Sequence, residues 1–558
     1  MPPSSRRKIT LILAGGASLG SYEAGVLTEL IYALEVLNQR AETEDQKFTI
    51  DVMTGGSAGA LVAVLVARIM LFNVSGLRRN LYNAWVKRTS IVELLDGVPD
   101  NALLSKDVVR RIAEDYVVEG TGSPQNRTEV ASFAPEVLRL GLTISNMHGM
   151  DYALPYLAAT TPGDRAFIST IFSDSANYKI TQANLFDSKY WATLANTAIA
   201  SASFPIIFRP EAVFRSAKDF PKAVPPKGFF PPVGDRPMSY LDGGLFNNEP
   251  LRDAIYLSRE ADDGTLDPNR IFLLIDPSIN RSEFEATIPP DAPLESIIGR
   301  LFSMIFNESR AVDWLRDAIE KNVELSWRDD LIHALSGLIA TAPPAESQQL
   351  LEQVRTLSSR VIDEKSQLAS SEVERDRLYQ NLEATPDQFP EEFRRLTATD
   401  TDSVKREIFK NVVFILNNAA NLDNKSQLNL CLIGSVPEKT AGDQISGFGG
   451  FFNEEWRQFD YRQGRIEAHT QLPRILGADY PREQVNGRVS EEYAIPAIWE
   501  NFASVTMEDA DRSLRQELRD NMLDRAAKVI GGTLNVPLSG WVISRLLVRP
   551  KVNELLKL

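Results

Sequence analysis

Short apolar runs alternate with segments of helical spacing along the first part of the chain. Lys8–Leu13 and Phe48–Met53 have the length and the apolar character of buried strands. Apolar residues then recur at helical spacing from Val26 to Leu37 after the first run, and the apolar stretch Ala60–Leu71 follows the second. A repeated order of strand, loop and helix predicts a parallel sheet covered by helices, which is an α/β fold.

Further apolar runs extend this predicted sheet. Leu140–Ile144 and Arg270–Asp276 are predicted strands, and Leu428–Ile433 is predicted as another core strand much later in the chain. If Leu428–Ile433 joins the first sheet, residues 290–425 form a helical insertion. Pro289–Pro344, at the start of that insertion, is predicted to be mostly helical.

The charged segment Gln349–Leu382 carries apolar residues at spacings of three and four, which predicts one long helix similar to a coiled coil. Pro386 and Pro390 end it. Two interpretations fit the pattern: a helix packed on the body of the protein, or an arm through which the chain forms a homo-oligomer. The apolar repeat lapses between Val361 and Leu378, which favours packing on the body.

At 558 residues the chain is too long for one ordinary hydrophobic core. We predict an α/β domain at residues 1–288 and a helical region with the long helix at 289–425. In residues 426–558 a strand returns to the core before a helical C-terminal region.

Two apolar segments each fit two interpretations. Pro221–Pro237 is a Pro- and Gly-rich loop with Phe229 and Phe230 at its centre. In one interpretation, the two phenylalanines contact lipid or cover a cleft. In the other, they pack into the body of the protein. Trp541–Leu558 mixes apolar and basic residues, which fits an amphipathic segment at a membrane interface or, more commonly, a terminal helix docked on the protein.

The charge balance excludes some partners. The chain has 60 basic and 75 acidic residues, so its formal net charge is −15. An acidic chain is a poor ligand for nucleic acid, and simple electrostatic adhesion to an anionic membrane is also disfavoured. We therefore expect no nucleic-acid partner.

The single cysteine, Cys431, cannot form an internal disulfide and suits a reducing compartment, so we expect a cytoplasmic protein. No Cys and His residues have the spacing of a zinc site, and we expect neither metal nor cofactor. The basic segment Met1–Lys8 lacks the apolar core of a signal peptide behind it. No run of about 18 apolar residues predicts a membrane span.

The motif Gly55-x-Ser57-x-Gly59 lies between the second predicted strand and the helix after it. This is the position of a nucleophile elbow, in which a sharp turn exposes a serine for attack. Glycines suit the turn because the returning helix passes close to the strand. The motif alone is a weak signal, and its position between strand and helix strengthens it.

A glycine-rich loop, Gly15–Gly20, follows the first predicted strand in the same way. Its glycine spacing fits a phosphate-binding loop, but Ser21 stands where that loop requires a lysine. Two interpretations remain, a cradle of backbone N–H groups for an oxyanion or a plain tight turn. The loop on its own favours the tight turn.

A serine hydroxyl needs a partner that removes its proton before it is a good nucleophile. The chain has three histidines, His148, His333 and His469, and none lies in a recognisable motif. Asp242 is better marked, because it follows a short strand and precedes two glycines. A carboxylate near Ser57 could act as the base alone, His148 could complete a triad instead, and Asp242 could also merely cap a turn.

Together these motifs resemble the patatin-like phospholipase family, over about residues 8–280. The stretches that carry the resemblance are Gly15–Gly20, Gly55–Gly59, Ala200–Pro205 and Asp242–Pro250. Gly447–Arg465 is also similar to a C-terminal block of larger bacterial patatin-related proteins. The resemblance implies a three-layer α/β/α core with a largely parallel sheet, joined to a mostly helical insertion and C-terminal region.

The resemblance also implies roles for individual residues. Ser57 would be the nucleophile and Asp242 the base, and the backbone N–H groups around Gly15, Gly16 and Ala17 would form the oxyanion hole. The glycines that support these motifs are Gly20, Gly55, Gly59, Gly243 and Gly244. Many relatives have a third glycine where Ala17 stands and a basic residue where Leu19 stands, a difference that bears on substrate class more than on the chemistry.

The expected function is that of a lipid acyl hydrolase. Such a serine-dependent esterase would cleave fatty-acyl esters of phospholipid or lysophospholipid through an acyl-enzyme, at a membrane or micelle surface to which it binds peripherally. Two alternatives stay open: a transacylase that uses the same dyad, and an interaction protein whose helical arm is the working part.

Overall fold

The computed structural model describes residues 6–155, 166–277, 312–419, 428–477, 479–481, 506–534, 544 and 548–558, apart from 222, 225–227, 232–233, 265, 370–371, 400–401, 436–439 and 444–446. Residues 289–311, the first part of the segment predicted to be mostly helical, lie outside this described part of the chain.

Within the described residues, eight strands form one mixed sheet. The strands are β1 Arg7–Leu13, β2 Phe48–Gly55, β3 Leu138–Pro155, β4 Ala166–Ile180, β5 Glu211–Arg215, β6 Arg236–Asp242, β7 Ile271–Asp276 and β8 Asn429–Gly434. Their order is β5-β6-β3-β2-β1-β7-β8, with β4 paired to β3. Strands β3, β2, β1, β7 and β8 run parallel, which confirms the predicted largely parallel sheet.

Helices cover both faces of this sheet and form the insertion and the C-terminal region. In chain order the described α-helices are α1 Gly20–Arg40, α2 Ala58–Phe72, α3 Val74–Leu77, α4 Arg79–Tyr82, α5 Ile91–Leu95, α6 Asp107–Ala113, α7 Ser188–Ser201, α8 Leu251–Ala261, α9 Val312–Thr341, α10 Pro344–Ala369, α11 Glu372–Ala384, α12 Glu391–Leu396, α13 Ser403–Ala419, α14 Glu454–Leu476, α15 Arg512–Leu534 and α16 Arg549–Leu555.

Alternate residues of the central strands face opposite layers of helices. On β1, Leu11 and Leu13 belong to the apolar cluster that includes α1 and α2, whereas Ile12 packs with Leu251 of α8. Parallel strands that are buried on both faces appear in a sequence as continuous apolar runs, which is why these strands could be predicted. The core is therefore the three-layer α/β/α arrangement that was expected.

Strand β3 brings two distant parts of the chain to one edge. Because β4 pairs with one edge of β3, strands β2 and β6 share the other edge. Strand β2 ends with Gly55 opposite Leu142, and the antiparallel β6 ends with Asp242 opposite Ile144. The carboxyl ends of β2 and β6 therefore meet head to head, and this meeting point is where the candidate site forms.

The predicted single helix at Gln349–Leu382 is wrong. The described residues form two helices, α10 and α11, that fold back on each other, with an ion pair of 3.0 Å between Arg375 and Asp363. Leu378 of α11 packs with Phe414 of α13 in a small apolar cluster. The lapse in the apolar repeat marks this reversal, and the helices pack within the chain, as the favoured interpretation expected. Self-association through them stays a prediction.

Strand β8 joins the sheet beside β7, as predicted, so helices α9 to α13 are inserted between two neighbouring strands. The expectation of a core strand is wrong, because β8 lies at the edge of the sheet. Leu432 of β8 is 39% exposed, and Ile433 is the one residue of this strand that is fully buried. The domain boundaries at 288/289 and 425/426 stay a prediction.

Helix α14 packs closely along α1. A Cβ atom on Gly25 would lie 2.0 Å from the carbonyl oxygen of Tyr461, and one on Gly464 would lie 2.1 Å from that of Tyr22. The two glycines thus let the helix backbones touch. The Tyr461 hydroxyl also donates to Thr28 Oγ1 at 2.9 Å. The C-terminal region is therefore fixed to the helix that begins at the first glycine loop.

The described parts of the two segments with candidate lipid contacts pack on the protein. Phe230 stacks on Phe220 with 5.8 Å between ring centroids, and Phe229 joins the same cluster. In the tail, Val552 and Leu556 are buried, while residues 541–543 and 545–547 lie outside the described chain. None of the helices described is both long and apolar enough to cross a membrane.

Candidate active site

Strand β2 ends in a turn that presents Ser57 at the start of α2. The Ser57 backbone has φ 50° and ψ −123°, a conformation that side-chain-bearing residues rarely adopt. The Gly56 amide donates to the Leu13 carbonyl at 3.1 Å, and a Cβ on Gly59 would lie 2.4 Å from the same oxygen. Glycine is needed here because β1 passes directly against the turn, so the motif forms the elbow that was predicted.

Ser57 and Asp242 meet where β2 and β6 end opposite each other. Ser57 Oγ donates a hydrogen bond to Asp242 Oδ2 at 2.7 Å. No histidine mediates this contact: His148 is exposed on β3, His333 lies on α9 and His469 lies on α14. Of the alternatives drawn from the sequence, the geometry therefore favours a carboxylate that contacts the serine directly over a triad with His148.

Several hydrogen bonds hold Asp242 in place. Its Oδ1 accepts the Gly244 amide at 2.7 Å, its own amide donates to the Ser203 carbonyl at 2.9 Å, and Ser145 Oγ donates to its carbonyl at 2.6 Å. Burial raises the pKa of the Asp242 carboxyl to about 7, and the bonds from Ser57 and Gly244 hold it from rising further. The residue both caps the following turn and contacts the serine, through different oxygens.

The end of α7 supports the nucleophile from another side. Ser201 Oγ accepts the Ser57 amide at 2.9 Å. Lys106 Nζ donates to Ser203 Oγ at 2.8 Å and pairs with Glu211 at 2.7 Å, and burial lowers the pKa of this lysine to about 8. Sequence reasoning missed these roles, because serines in a run of small residues give no sign of their partners.

The glycine loop after β1 lies against the nucleophile. A Cβ on Gly15 would be 2.7 Å from Ser57 Cβ and 2.2 Å from Asn248 Oδ1. The Gly15 amide donates to the Asn248 carbonyl at 3.2 Å, so one of the three predicted oxyanion donors is already bonded. The amides of Gly16 and Ala17 have no acceptor among the residues described.

Ala17 has φ 49°, in the left-handed region that glycine adopts more readily. At the other motif glycines an added Cβ would lie 2.2 to 2.6 Å from a neighbour: Gly20 from the Trp85 ring, Gly55 from the Gly59 carbonyl, Gly243 from the Thr143 carbonyl and Gly244 from Asn248 Oδ1.

An apolar cavity opens beside the Ser57 hydroxyl. Its lining includes Leu61, Val64 and Leu65 of α2, Ala195, Ala198 and Ile199 of α7, and Trp85, Val109, Ile112 and Val117. Along α2 the lining runs from Ala58 to Leu65, which is about 10 Å at 1.5 Å per residue. Asp242 and Lys106 are the charged residues of the lining, and Lys106 is neutralised by Glu211.

Two phenylalanines from the C-terminal part of the chain complete this cavity. Phe448 and Phe451 line it together with Ser57, and Phe448 meets Phe204 edge to face with 5.4 Å between ring centroids. Sequence reasoning did not find them, because no local pattern places them near a motif about 390 residues earlier. The part of the chain that the structure describes contains no group of three or more His, Cys, Asp or Glu residues arranged to hold a metal ion.

Comparison with known proteins agrees with this fold. Residues 11–255 match the model of the family described as patatin-like phospholipase, so this part of the chain is similar to a patatin-like phospholipase domain. The matched range contains the glycine loop, the elbow and Asp242, and it ends before β7.

Individual relatives are more distant. A curated protein of Sinorhizobium fredii, "Uncharacterized protein y4iI", is 25% identical over an alignment that covers 44% of this chain and 44% of that protein. The present chain thus spans less than half the length of this relative. The crystal structure of VipD from Legionella pneumophila aligns with 99% of this chain and 90% of its own, at 10% identity and a TM-score of 0.21.

Proposed function

We propose that the protein is a lipid acyl hydrolase in which Ser57 is the nucleophile and Asp242 the base. The observation that carries the proposal is the 2.7 Å hydrogen bond from Ser57 Oγ to Asp242 Oδ2 in the lining of an apolar cavity. A carboxyl with a pKa near 7 accepts a proton better than an ordinary aspartate does, which suits it to activate a hydroxyl.

In the first half of the reaction, Ser57 Oγ attacks the ester carbonyl carbon while its proton passes to Asp242. The carbonyl electron pair moves onto oxygen, and the amides of Gly16 and Ala17 face the resulting oxyanion. When the tetrahedral intermediate collapses, the bond to the alcohol breaks and Asp242 returns the proton to the leaving oxygen. An acyl-enzyme on Ser57 remains.

The second half repeats these steps with water as the nucleophile. Asp242 takes a proton from water as the water oxygen attacks the acyl carbon. Collapse of the second intermediate breaks the bond to Ser57 Oγ, which recovers its proton from Asp242. The fatty acid leaves as product, and the dyad returns to its starting state.

The cavity indicates the class of substrate. Its lining is almost wholly aliphatic and aromatic, so it favours a hydrocarbon chain over a polar group. Fatty-acyl esters of phospholipid or lysophospholipid meet this requirement. Such lipids lie in membranes or micelles, so we propose a cytoplasmic protein that binds these surfaces peripherally.

A lipid-panel assay tests the proposal. The full chain, the variant Ser57→Ala and the control Ser75→Ala, which changes an exposed serine on α3, are incubated with phospholipid and lysophospholipid in vesicles and mixed micelles. We expect free fatty acid from at least one lipid with the full chain and with Ser75→Ala, and none with Ser57→Ala. Equal release by Ser57→Ala would refute the assignment of the nucleophile.

The same assay separates hydrolysis from acyl transfer. With added glycerol or lysolipid as acceptor, a transacylase would form a new ester at the expense of free fatty acid. We expect free fatty acid to stay the main product.

A further inference from the structure

The glycine loop contacts a distant segment, the described residues of 440–452, here called the strap. Ser18 is fully buried beneath it. Ser18 Oγ donates to the Gly447 carbonyl at 2.5 Å and accepts the Gly450 amide at 3.1 Å. One hydroxyl therefore joins two main-chain groups of the strap to the residue that follows Ala17.

The strap backbone lies directly on the glycine loop. A Cβ on Gly447 would be 2.8 Å from the Gly16 carbonyl oxygen, and a Cβ on Gly450 would be 2.6 Å from Ser18 Oγ. A side chain at either position would displace the loop. The strap thus covers the same short stretch that presents the Gly16 and Ala17 amides.

Two buried side chains of α14 fix the strap in turn. Asp460 accepts the amides of Ala441 and Gly442 at 2.6 and 2.8 Å. Arg457 donates to the Gly450 carbonyl at 2.8 Å. Helix α14 is itself packed on α1. Hydrogen bonds therefore connect α14 to the strap, and the strap to the glycine loop.

The glycine loop needs such support. Ala17 is held at φ 49°, where an L side chain is strained, so the loop would relax if its neighbours released it. Relaxation would turn the Ala17 amide away from the place where an oxyanion forms. A displacement of about 1 Å at a catalytic group can cost roughly 100-fold in rate.

The strap also contributes Phe448 and Phe451 to the cavity beside Ser57. These rings come from a segment far from α2 and α7 in the sequence, but they line the same apolar cavity as those two helices. An acyl chain in this cavity would contact both the family domain and the strap.

We infer that the strap is a working part of the catalytic centre, although it lies outside residues 11–255. Ser18 and Asp460 are positioning residues that hold the glycine loop, and Phe448 determines which acyl chains the cavity prefers. This inference rests on the proposed ester hydrolysis at Ser57.

The first test uses point variants of the full chain. Ser18→Ala removes the hydroxyl that bridges loop and strap, and Asp460→Asn places an NH2 group against a backbone N–H donor. With a short-chain nitrophenyl ester, we expect kcat to fall about 10- to 100-fold in each variant while KM stays nearly constant. An oxyanion contact is made only in the transition state, which is why kcat carries the effect.

The matched control is Thr28→Val. It removes the buried hydrogen bond from Tyr461 to Thr28, which also joins α1 to α14 but does not touch the strap. We expect wild-type kcat from it, even if its thermal unfolding midpoint falls as much as that of Ser18→Ala. Wild-type kcat in Ser18→Ala and Asp460→Asn, or an equal loss in Thr28→Val, would overturn the positioning role.

A second variant tests the strap without changing the loop. Phe448→Ala should lower kcat/KM for a long-chain ester roughly tenfold more than for a short-chain ester, because a long acyl chain would fill more of the apolar cavity that this ring lines. An equal change for both esters would overturn the role of Phe448 in acyl-chain preference.

The outcomes separate this inference from the proposed function. If Ser57→Ala is inactive while Ser18→Ala, Asp460→Asn and Phe448→Ala behave as wild type, the strap inference fails and the hydrolase assignment stands. If the folded wild-type chain turns over no ester, the hydrolase assignment fails and the strap inference falls with it.

Discussion

Asp242 and Asp460 are buried aspartates in two different regions, and they have different hydrogen-bond partners. Burial raises the pKa of each carboxyl to about 7. Asp460 accepts two backbone amides, whereas Asp242 accepts one amide and the Ser57 hydroxyl. Burial thus sets the proton affinity, and the partners decide the role: Asp460 can hold main chain in place, while Asp242 can also take a proton from a nucleophile.

The two aspartates also lie in different parts of the chain, one in the family domain and the other in the C-terminal region. Asp242 lies inside residues 11–255 and Asp460 lies outside them. In the mechanism that we propose, the first region supplies the reacting groups, and the second holds the loop against which the reaction would occur. On that proposal, a boundary drawn by sequence similarity does not coincide with the boundary of the site.

The largest expected effect comes from Asp242→Asn. The asparagine Oδ1 can still accept the Gly244 amide and its NH2 group can donate to Ser57 Oγ, so the fold should be kept. The base is lost, and we expect kcat/KM for a short-chain ester to fall by about 10²–10⁴. Steady-state kinetics, with circular dichroism to show that the variant is folded, measure this. A loss no greater than that of Asp460→Asn would mean that the two aspartates share one supporting role.

A smaller effect follows from pH. Asp242 must be deprotonated to act, so kcat/KM should rise through about pH 7 and be roughly 100-fold lower at pH 5. A profile that is flat from pH 5 to 8 would contradict a base with this pKa. Short-chain ester turnover across this range, at constant ionic strength, is the measurement.

The stability of the fold should change with pH in the sense opposite to that of kcat/KM. Because the folded-state pKa of Asp242 and of Asp460 lies above the ordinary value of 3.8, each stabilises the fold most at low pH. This contribution is lost as the pH rises from about 4 through about 7. The pH values at which Asp242 is charged are therefore those at which its burial contributes least to the stability of the fold.

Much of the core could be predicted from the sequence because its determinants are local. Continuous apolar runs marked β1, β2 and β7, and glycines around Ser57 and after Asp242 marked turns where backbones approach closely. The contact between the two residues could be expected only through family resemblance, since it arises from the pairing of β2 and β6 with one edge of β3.

The rest depends on contacts between distant residues. Ser18 binds Gly447, 429 positions later, and nothing near either residue announces the other. The reversal between α10 and α11 was visible only as a lapse in an apolar repeat. The exposure of β8 depends on which strand ends the sheet, a property of topology and not of the apolar run itself.

The most direct test of the central claim is the mass of the protein after reaction with a fluorophosphonate ester, which traps an activated serine. We predict one covalent adduct per chain, mapped to Ser57 by peptide mass spectrometry, absent in Ser57→Ala and formed far more slowly in Asp242→Asn. A folded wild-type chain that forms no adduct, or forms it at another serine, would contradict the claim.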